Sequence, residues 1–193
     1  MATGFTTIGH SNRGLDEFLQ ILRQAQAEAL VDVRSFLRSR TNPVFNIEQL
    51  PGNLATKSTI GITRRLAGGD PGNGPSILGS TRCGEFQSFH NDADDALGNA
   101  FGDAFDEMVR LGHERRVALM CSEAVWWRCH RRIITDYLLF RGEEVTHLMA
   151  IGKSDKATST PGAKRLGASK VIYPAEGSHG DLETAKKLDH GTT

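Results

Sequence analysis

The pattern of residues 5–33 constrains the fold most strongly, because it sets a helical segment between two short apolar ones. Residues 5–8 and 29–33 have the length and apolar content of strands, and apolar side chains recur at helical spacing between them. A strand, a helix and a strand in so short a stretch are typical of a βαβ unit, whose right-handed crossover makes its strands parallel. The sequence therefore predicts an α/β fold with a mostly parallel sheet.

The remainder of the chain predicts further elements of the same kind. Strands are predicted near residues 60–66, 116–121 and 145–150, the first of them weakly marked. Helices are predicted over residues 97–112 and 126–141, each closed by a glycine. A weaker helix within residues 34–57 is interrupted by Pro51 and Gly52. These segments predict a sheet of about four to five strands flanked by helices.

The length of the chain, 193 residues, suits one domain with a single sizeable core. We predict that this α/β domain covers residues 1–151. Residues 152–193 are rich in Lys, Ser, Thr, Pro and Gly, which predicts a polar C-terminal tail that is largely disordered, with residues 170–173 docking on the domain. Turn-forming residues dominate residues 68–84 and predict a mobile surface loop.

The charge balance excludes a strong overall field, since 23 basic residues face 23 acidic ones. A general attraction to nucleic acid or anionic lipid is therefore not expected, and anion recognition has to come from local clusters. Three cysteines, with no basic and apolar leader before them, predict a reducing compartment and a cytoplasmic location. No apolar run is long enough for a bilayer, so no membrane association is predicted.

Polar residues collect where the predicted strands end. His10 and Ser11 follow the first strand, and Asp32 and Arg34 close the second. Cys121 and Glu123 close the strand at 116–121. Because ligands of parallel α/β sheets bind beyond the carboxyl ends of the strands, we expect these side chains to line one edge of the sheet.

Cys121 is the candidate nucleophile, because a thiol just before a helix lies near free N–H groups and the positive end of the helix dipole. The alternative is that Cys121 is a buried residue that ends an apolar strand. Glu123, His130 and His10 are the candidate partners that move protons or position a substrate. Cys129 has the spacing of a packed helix face and is expected in the core.

A basic loop follows the second strand. Guanidinium groups bind phosphate or carboxylate in a bidentate manner, through two parallel hydrogen bonds. Arg34 is the favoured anion-binding residue, and Asp32 is expected to orient an arginine. The alternative is that several of these arginines are solvated or paired with acids. The predicted substrate-binding residues are Ser11, Asp32, Arg34, Arg38, Arg40, Asn42 and Arg131.

A metal site is a further hypothesis, with Cys121, Cys129 and His130 as ligands and His10 or His147 as the fourth. The close ligand pairs of structural zinc sites are missing, which counts against it. No other cofactor is predicted.

Six short motifs, taken together, resemble a known family. They are TIGHSN, VDVRS, RSRTNPVFN, LAGG, ALMCSEAVWWRCHRR and VTHLM. In this order, from Thr7 to about Met149, they resemble the bacterial and archaeal domain-of-unknown-function family numbered 488. The resemblance implies a compact Rossmann-like α/β domain and no particular reaction. By position it also implies a set of signature residues: His10, Ser11, Asp32, Arg34, Arg38, Arg40, Asn42, Pro43, Cys121, Glu123, Cys129, His130 and Arg131.

Three functions remain open from the sequence. The favoured one is an enzyme, a thiol-assisted hydrolase or transferase, that acts on a phosphorylated or otherwise anionic small molecule, with nucleotides among the options. The second is a non-catalytic module that binds nucleotide or nucleic acid, although neutral charge and few stacking aromatics count against nucleic acid. The third is a metal-dependent hydrolase or metal-binding protein.

Overall fold

A computed structural model gives the architecture and describes residues 4–34, 37–57, 61–65, 99–129, 131–167 and 170–173. The predicted loop at 68–84 lies outside these residues. The strands are β1 Gly4–Gly9, β2 Ala29–Asp32, β3 Gly61–Arg65, β4 Arg116–Cys121, β5 Val145–Ala150, β6 Lys153–Lys156, β7 Lys164–Leu166 and β8 Lys170–Ile172. The α-helices are α1 Leu15–Gln24, α2 Leu50–Lys57, α3 Asn99–Glu114 and α4 Arg131–Phe140. Short 3₁₀ turns cover Pro43–Phe45 and Trp126–Arg128.

The main sheet has the strand order β3-β2-β4-β1-β5-β6. The first five of these strands are mutually parallel, and β6 pairs antiparallel with β5 at the edge. The predicted mostly parallel α/β sheet is thus confirmed. In this order β4 lies between β1 and β2, which differs from the 3-2-1-4-5 order of the Rossmann fold.

Two apolar cores, one on each face of the sheet, follow from the alternation of side chains along each strand. In β4, Val117, Leu119 and Cys121 face one core, and Ala118 and Met120 face the other. The first core is closed by α3 and α4, and the second by α1 and α2. Cys121 therefore lies on the α3 and α4 side of the sheet.

Helix α1 illustrates why these segments are helical. Phe18, Leu19 and Leu22 form one buried stripe along the helix. Asp16 and Glu17 lie in the first turn, where their negative charge interacts favourably with the positive end of the helix dipole and stabilises the helix. The sequence prediction for this helix is confirmed.

The other helices differ from their predicted bounds for local reasons. Pro51 lies in the first turn of α2, where its missing N–H has no helical partner to lose, so it does not interrupt the helix. Helix α3 does not end at Gly112 but continues to Glu114. The glycine instead serves packing, since the absent Cβ lets the helix approach the ring of Phe5. Helix α4 begins at Arg131 and not at residue 126. None of the helices in the described part of the chain is long and apolar enough to cross a membrane.

The segment after residue 152 forms strands where the structure describes it, whereas its composition predicts a largely disordered tail. Strand β6 extends the main sheet, and β7 and β8 form an antiparallel pair. The predicted docking of residues 170–173 is confirmed, since Tyr173 is 1% exposed and donates a hydrogen bond to Asp136 Oδ2 at 2.9 Å. The backbone N–H of Thr160 donates to Asp136 Oδ1 at 2.7 Å. One buried carboxylate on α4 thus anchors two points of this segment, which composition alone does not reveal.

Candidate functional site

Main-chain hydrogen bonds join the carboxyl ends of β1 and β4. The N–H of His10 donates to the Cys121 carbonyl at 2.9 Å, and the N–H of Ser11 donates to the Ser122 carbonyl at 2.8 Å. Ser11 has a φ of 47°, a left-handed conformation that non-glycine residues rarely adopt and that often marks functional loops. A Cβ on Gly9 would overlap the Glu123 carbonyl oxygen, so only glycine allows this approach.

Asp32 and Arg34 form a buried ion pair on the α1 and α2 side of the sheet. Arg34 Nε donates to Asp32 Oδ1 at 2.8 Å, and Arg34 Nη2 donates to Asp32 Oδ2 at 2.6 Å. Nη2 also donates to the Phe45 carbonyl at 2.7 Å. The predicted orientation of an arginine by Asp32 is therefore present, and the guanidinium that was expected to hold an anion is engaged within the protein.

His10 completes this group of residues, which we call the paired cluster: His10, Asp32, Arg34 and Phe45. Its ring stacks on Phe45 with centroids 4.5 Å apart, and its Nε2 lies 3.2 Å from Arg34 Nη1. Burial, and in smaller part the charge of Arg34, lower the pKa of His10. An arginine N–H donates to Nε2, so the neutral ring carries its proton on Nδ1, which donates to the Ser11 carbonyl at 3.0 Å.

A second group lies on the opposite face of the sheet, and we call it the Arg131 cluster: Cys121, Cys129, Arg131 and His147. Cys121 was expected to line the same site as His10 at this edge of the sheet. The alternation of side chains along the strands instead places the two on different faces of the sheet. Cys121 is only 1% exposed, which agrees with the buried alternative weighed from the sequence. The two residues remain close enough for a charge on Cys121 to influence the pKa of His10.

Arg131 is the first residue of α4 and is only 1% exposed. Its Nη2 donates to the Glu123 carbonyl at 2.5 Å, and its buried Nε has no hydrogen-bond partner among the described residues. Within that same part of the chain, no carboxylate pairs with this guanidinium, in contrast to Arg34. Buried guanidinium groups normally have such a partner, so the charge of Arg131 is unusual.

Cys121 and Cys129 belong to the same buried core, and Cys129 lies next to the start of α4. Burial raises the pKa of Cys129 well above its usual range, and the hydrogen bond and charge of Cys121 raise it further. The backbone N–H of Arg131 donates to Cys129 Sγ at 3.4 Å. Cys129 is 6% exposed, which confirms its predicted place in the core.

His147 is a further buried imidazole on the same face. Its Nδ1 lies 2.8 Å from Thr7 Oγ1, and its ring stacks on Trp126 with centroids 4.3 Å apart. Burial, and then the charge of Arg131, lower the pKa of His147 to about 4, so the ring is neutral at neutral pH. Its Nε2 is buried and has no hydrogen-bond partner in the described ranges.

In the described part of the basic loop after Arg34, the arginine side chains are exposed. Arg38 is 78% exposed and forms an ion pair with Glu48, and Arg40 is also exposed. The side-chain amide of Asn42 donates to the carbonyls of Ser11, at 3.2 Å, and Arg13, at 2.8 Å. Asn42 thus holds the strained loop after β1 in place.

The side chain of one predicted catalytic residue, Glu123, lies outside both clusters. The carboxylate of Glu123 is exposed, and only its main-chain carbonyl enters the Arg131 cluster. His130 lies outside the described residues. Among the residues that the structure describes, no group of three His, Cys, Asp or Glu side chains could hold a metal ion, so geometry adds no support to the metal hypothesis.

Sequence reasoning missed Arg13 and Phe45 and gave His147 only a minor role. Arg13 donates to the carbonyls of Gly9 and Met149 and so ties the carboxyl ends of β1 and β5 together. Its position directly after the GHSN stretch was the available signal. The role of Phe45 could not be seen, because a stacking partner depends on how a loop folds back.

A scan against family models matches residues 14–138 to the family described as Domain of unknown function DUF488. The matched range covers well over half of the chain. The chain belongs to this family. The family match begins after His10 and Ser11 and ends before His147, so it is shorter at both ends than the resemblance drawn from the motifs. It does contain both cysteines and Arg131 of the Arg131 cluster.

No curated protein matches the chain significantly. No solved structure matches it significantly either. The DUF488 match therefore supplies family membership, and chemistry has to be argued from the site itself.

Proposed function

We propose that this DUF488 protein binds a small anionic molecule, such as a phosphorylated metabolite, at the Arg131 cluster. The observation that carries the proposal is the buried guanidinium of Arg131, which lacks a carboxylate partner in the described part of the chain. A buried charge without a counter-charge is strongly unfavourable, and a bound anion would compensate it.

The position of Arg131 also favours an anion. It opens α4, a ten-residue helix whose first turn contains no acidic residue. The free N–H groups and the dipole at the start of such a helix favour negative charge. His147, whose pKa is lowered by burial and then by the charge of Arg131, offers a buried ring nitrogen without a partner among the described residues. Arginine side chain, helix start and imidazole together form a set of donors that suits phosphate oxygens.

In the favoured enzymatic role, a thiol of the Arg131 cluster reacts with the bound anion. In the proposed reaction, the Cys121 sulfur attacks the transferable group of the anionic substrate, the bond between that group and its leaving group breaks, and the leaving group departs with a proton. In the second step, water or another acceptor attacks the same group, the bond to sulfur breaks, and the thiol is regenerated. Glu123 and His130 are the proposed proton carriers, since both belong to the segment between β4 and α4. The charge of Arg131 acts to lower the pKa of the neighbouring Cys129, against the larger effect of burial, and a guanidinium near a thiol favours the thiolate form that such a reaction requires.

Binding of inorganic phosphate tests the anion proposal directly. Calorimetric titration and thermal unfolding are measured for the wild type, Arg131→Met and Arg131→Lys. Arg128→Met is the matched control, because Arg128 is an exposed arginine three positions earlier in the same segment. We expect Arg131→Met to weaken phosphate binding by about tenfold or more, Arg131→Lys to weaken it less, and Arg128→Met to leave it nearly unchanged.

Circular dichroism spectra show whether each variant is folded. Arg131→Met removes a buried charge that has no carboxylate partner in the described ranges, so we expect it to fold and to be at least as stable as the wild type when phosphate is absent. Equal phosphate binding by folded Arg131→Met and wild type would contradict the proposal.

The role of Cys121 is tested by its protection from alkylation. If the anion binds beside the thiol, phosphate slows the reaction of Cys121 with iodoacetamide and leaves that of Cys83 unchanged. An alkylation rate of Cys121 that does not change at saturating phosphate would separate the thiol from the anion site and contradict the enzymatic role.

A further inference from the structure

We infer that Thr7 is a positioning residue, which holds the neutral ring of His147 in the form that has its proton on Nε2, so that this nitrogen donates a hydrogen bond to the bound anion. The donor role rests on the proposed function. The form of the ring does not, because it follows from contacts within the protein.

Thr7 and His147 face each other across two neighbouring strands. They are register partners on β1 and β5, and both side chains are buried, with exposed fractions of 0% and 1%. Phe5 and Val145, two positions earlier on these strands, belong to the core that α3 and α4 cover. Because side chains alternate along a strand, Thr7 and His147 lie on that same face of the sheet, which is also the face of Arg131.

The Thr7 hydroxyl decides which ring nitrogen has the proton. Its Oγ1 lies 2.8 Å from His147 Nδ1, and among the residues that the structure describes it has no other hydrogen-bond partner. A buried O–H group without an acceptor is costly, whereas an unused oxygen lone pair is tolerated, so Thr7 donates and Nδ1 accepts. Because burial and the charge of Arg131 lower the pKa of His147 to about 4, the ring is neutral at neutral pH. Its single proton is therefore on Nε2.

The resulting Nε2–H group is a buried donor, and no acceptor for it lies among the described residues. The ring of Trp126 stacks on the imidazole with centroids 4.3 Å apart, which fixes the plane in which this N–H points. Arg131 Nε is a second buried donor without a partner in the same ranges, and its charge acts on the ring. Two such donors suit the oxygen atoms of an anion. His147 is accordingly a hydrogen-bond donor to the ligand and not a base that removes a proton from it.

His10 shows the opposite arrangement within the same chain. Arg34 Nη1 donates to His10 Nε2 at 3.2 Å, and His10 Nδ1 donates to the Ser11 carbonyl at 3.0 Å. The neutral ring of His10 therefore has its proton on Nδ1. The two buried imidazoles are expected to have their protons on different nitrogens, which gives the experiment an internal reference.

Nitrogen-15 NMR of the histidine side chains tests the inference, because protonated and unprotonated ring nitrogens have clearly different chemical shifts. Spectra of the full chain are recorded at about pH 8, well above the ordinary histidine pKa. His147→Gln and His10→Gln assign the two rings by the loss of their signals. We expect the wild type to show His147 protonated on Nε2 and His10 protonated on Nδ1.

Variants of Thr7 test whether its hydroxyl sets this form. Thr7→Ser keeps the hydroxyl and should preserve the proton on His147 Nε2, whereas Thr7→Val should allow a measurable fraction of rings with the proton on Nδ1. Thr6→Val is the matched control, because the hydroxyl of Thr6 donates to the Val117 carbonyl and not to His147. We expect this control to show the wild-type ring.

Inorganic phosphate is the probe of the donor role. In the wild type, we expect the His147 Nε2 signal to shift and saturate as phosphate is added. Thr7→Val should weaken phosphate binding by about threefold to tenfold, the effect of one misplaced hydrogen bond. Thr7→Ser and Thr6→Val should bind phosphate as the wild type does.

The wild-type spectrum is decisive without any variant. A proton on His147 Nδ1 in that spectrum would overturn the inference, and so would an unchanged ring form in Thr7→Val. An Nε2 signal that does not respond to saturating phosphate, in protein that binds phosphate through Arg131, would overturn the donor role and leave the proposed function intact. Failure of the proposed function would be seen instead as equal phosphate binding by Arg131→Met and the wild type.

Discussion

Arg34 donates two parallel hydrogen bonds to Asp32, at 2.8 Å and 2.6 Å, with both side chains nearly excluded from water. The backbone N–H of Arg34 also donates to Asp32 Oδ1, at 3.1 Å. The pair therefore holds together the loop that leaves β2. Among the residues that the structure describes, the pair also distinguishes the two buried arginines of this edge, since a carboxylate pairs with Arg34 and none pairs with Arg131.

The first expectation concerns this pair. Asp32→Ala leaves the Arg34 guanidinium buried without its counter-charge, so we expect a loss of about 3–5 kcal/mol in the free energy of unfolding. Glu48→Ala, which breaks the exposed pair with Arg38, is the control and should cause no measurable change. Urea denaturation measures both. Equal effects of the two substitutions would contradict the assigned role of Asp32.

A second expectation compares two glycines of helix α3. At Gly112 an added Cβ overlaps the Phe5 ring, whereas at Gly102 nothing lies within 4 Å of it. We expect Gly112→Ala to destabilise the protein by about 1–3 kcal/mol through overpacking. Gly102→Ala should stabilise it by up to about 1 kcal/mol, because alanine is the better helix former. Changes of the same sign in thermal unfolding would show that α3 does not pack closely on β1 at Gly112.

A third expectation concerns the C-terminal segment. Burial, and then the charge and hydrogen bond of Asp136, raise the pKa of Tyr173, so its hydroxyl stays protonated and donates to that carboxylate. Tyr173→Phe leaves a buried carboxylate oxygen without this donor, and we expect a loss of about 1–3 kcal/mol in stability. Lys170→Ala, at an exposed position of β8, the strand that directly precedes Tyr173, is the control. Limited proteolysis should cut the segment around Thr160 faster in Tyr173→Phe than in this control, and equal cutting would contradict the anchoring role.

The fourth expectation is a pH dependence. The pKa of His147 falls from 6.5 to about 4 on folding, because of burial and the charge of Arg131. The unfolded chain therefore takes up a proton first as the pH is lowered. The stability that the neutral ring contributes is complete above the unfolded pKa of 6.5 and is lost as the pH falls towards about 4. Each unit of pKa shift corresponds to about 1.4 kcal/mol.

Urea denaturation at a series of pH values between these limits measures the effect. We expect His147→Gln to flatten the fall in stability, and His113→Gln to leave it unchanged because His113 is exposed. The same slope in His147→Gln as in the wild type would assign the fall to other groups.

Much of the fold could be predicted from the sequence because it depends on local patterns. The apolar runs that became β1, β2, β4 and β5 are short, and their period and length identify them without knowledge of their neighbours. The segment after residue 152 could not be predicted in this way. Val171 and Tyr173, two residues of its described part, are buried by tertiary contacts with α4 that no local pattern encodes.

The candidate site could likewise be predicted only in part, where local patterns determine it. The carboxyl ends of parallel strands gather His10, Asp32, Arg34 and Cys121 at one edge, as the order of elements predicts. The face that each side chain takes depends on the strand register, and it separates Cys121 from His10. Whether an arginine pairs with a carboxylate also depends on packing. The sequence therefore indicated Arg34 as the anion-binding residue, whereas the contacts of the two side chains support the proposal for Arg131.

The most direct measurement follows the side-chain Nε–H signals of the arginines in nitrogen-15 NMR spectra while inorganic phosphate is added. The Arg131→Lys spectrum assigns the Arg131 signal by its disappearance. We expect the Arg131 signal to shift and saturate, and the Arg34 signal to stay in place because Asp32 holds it. An unchanged Arg131 signal, with shifts confined to exposed arginines such as Arg38 and Arg40, would contradict anion binding at the Arg131 cluster.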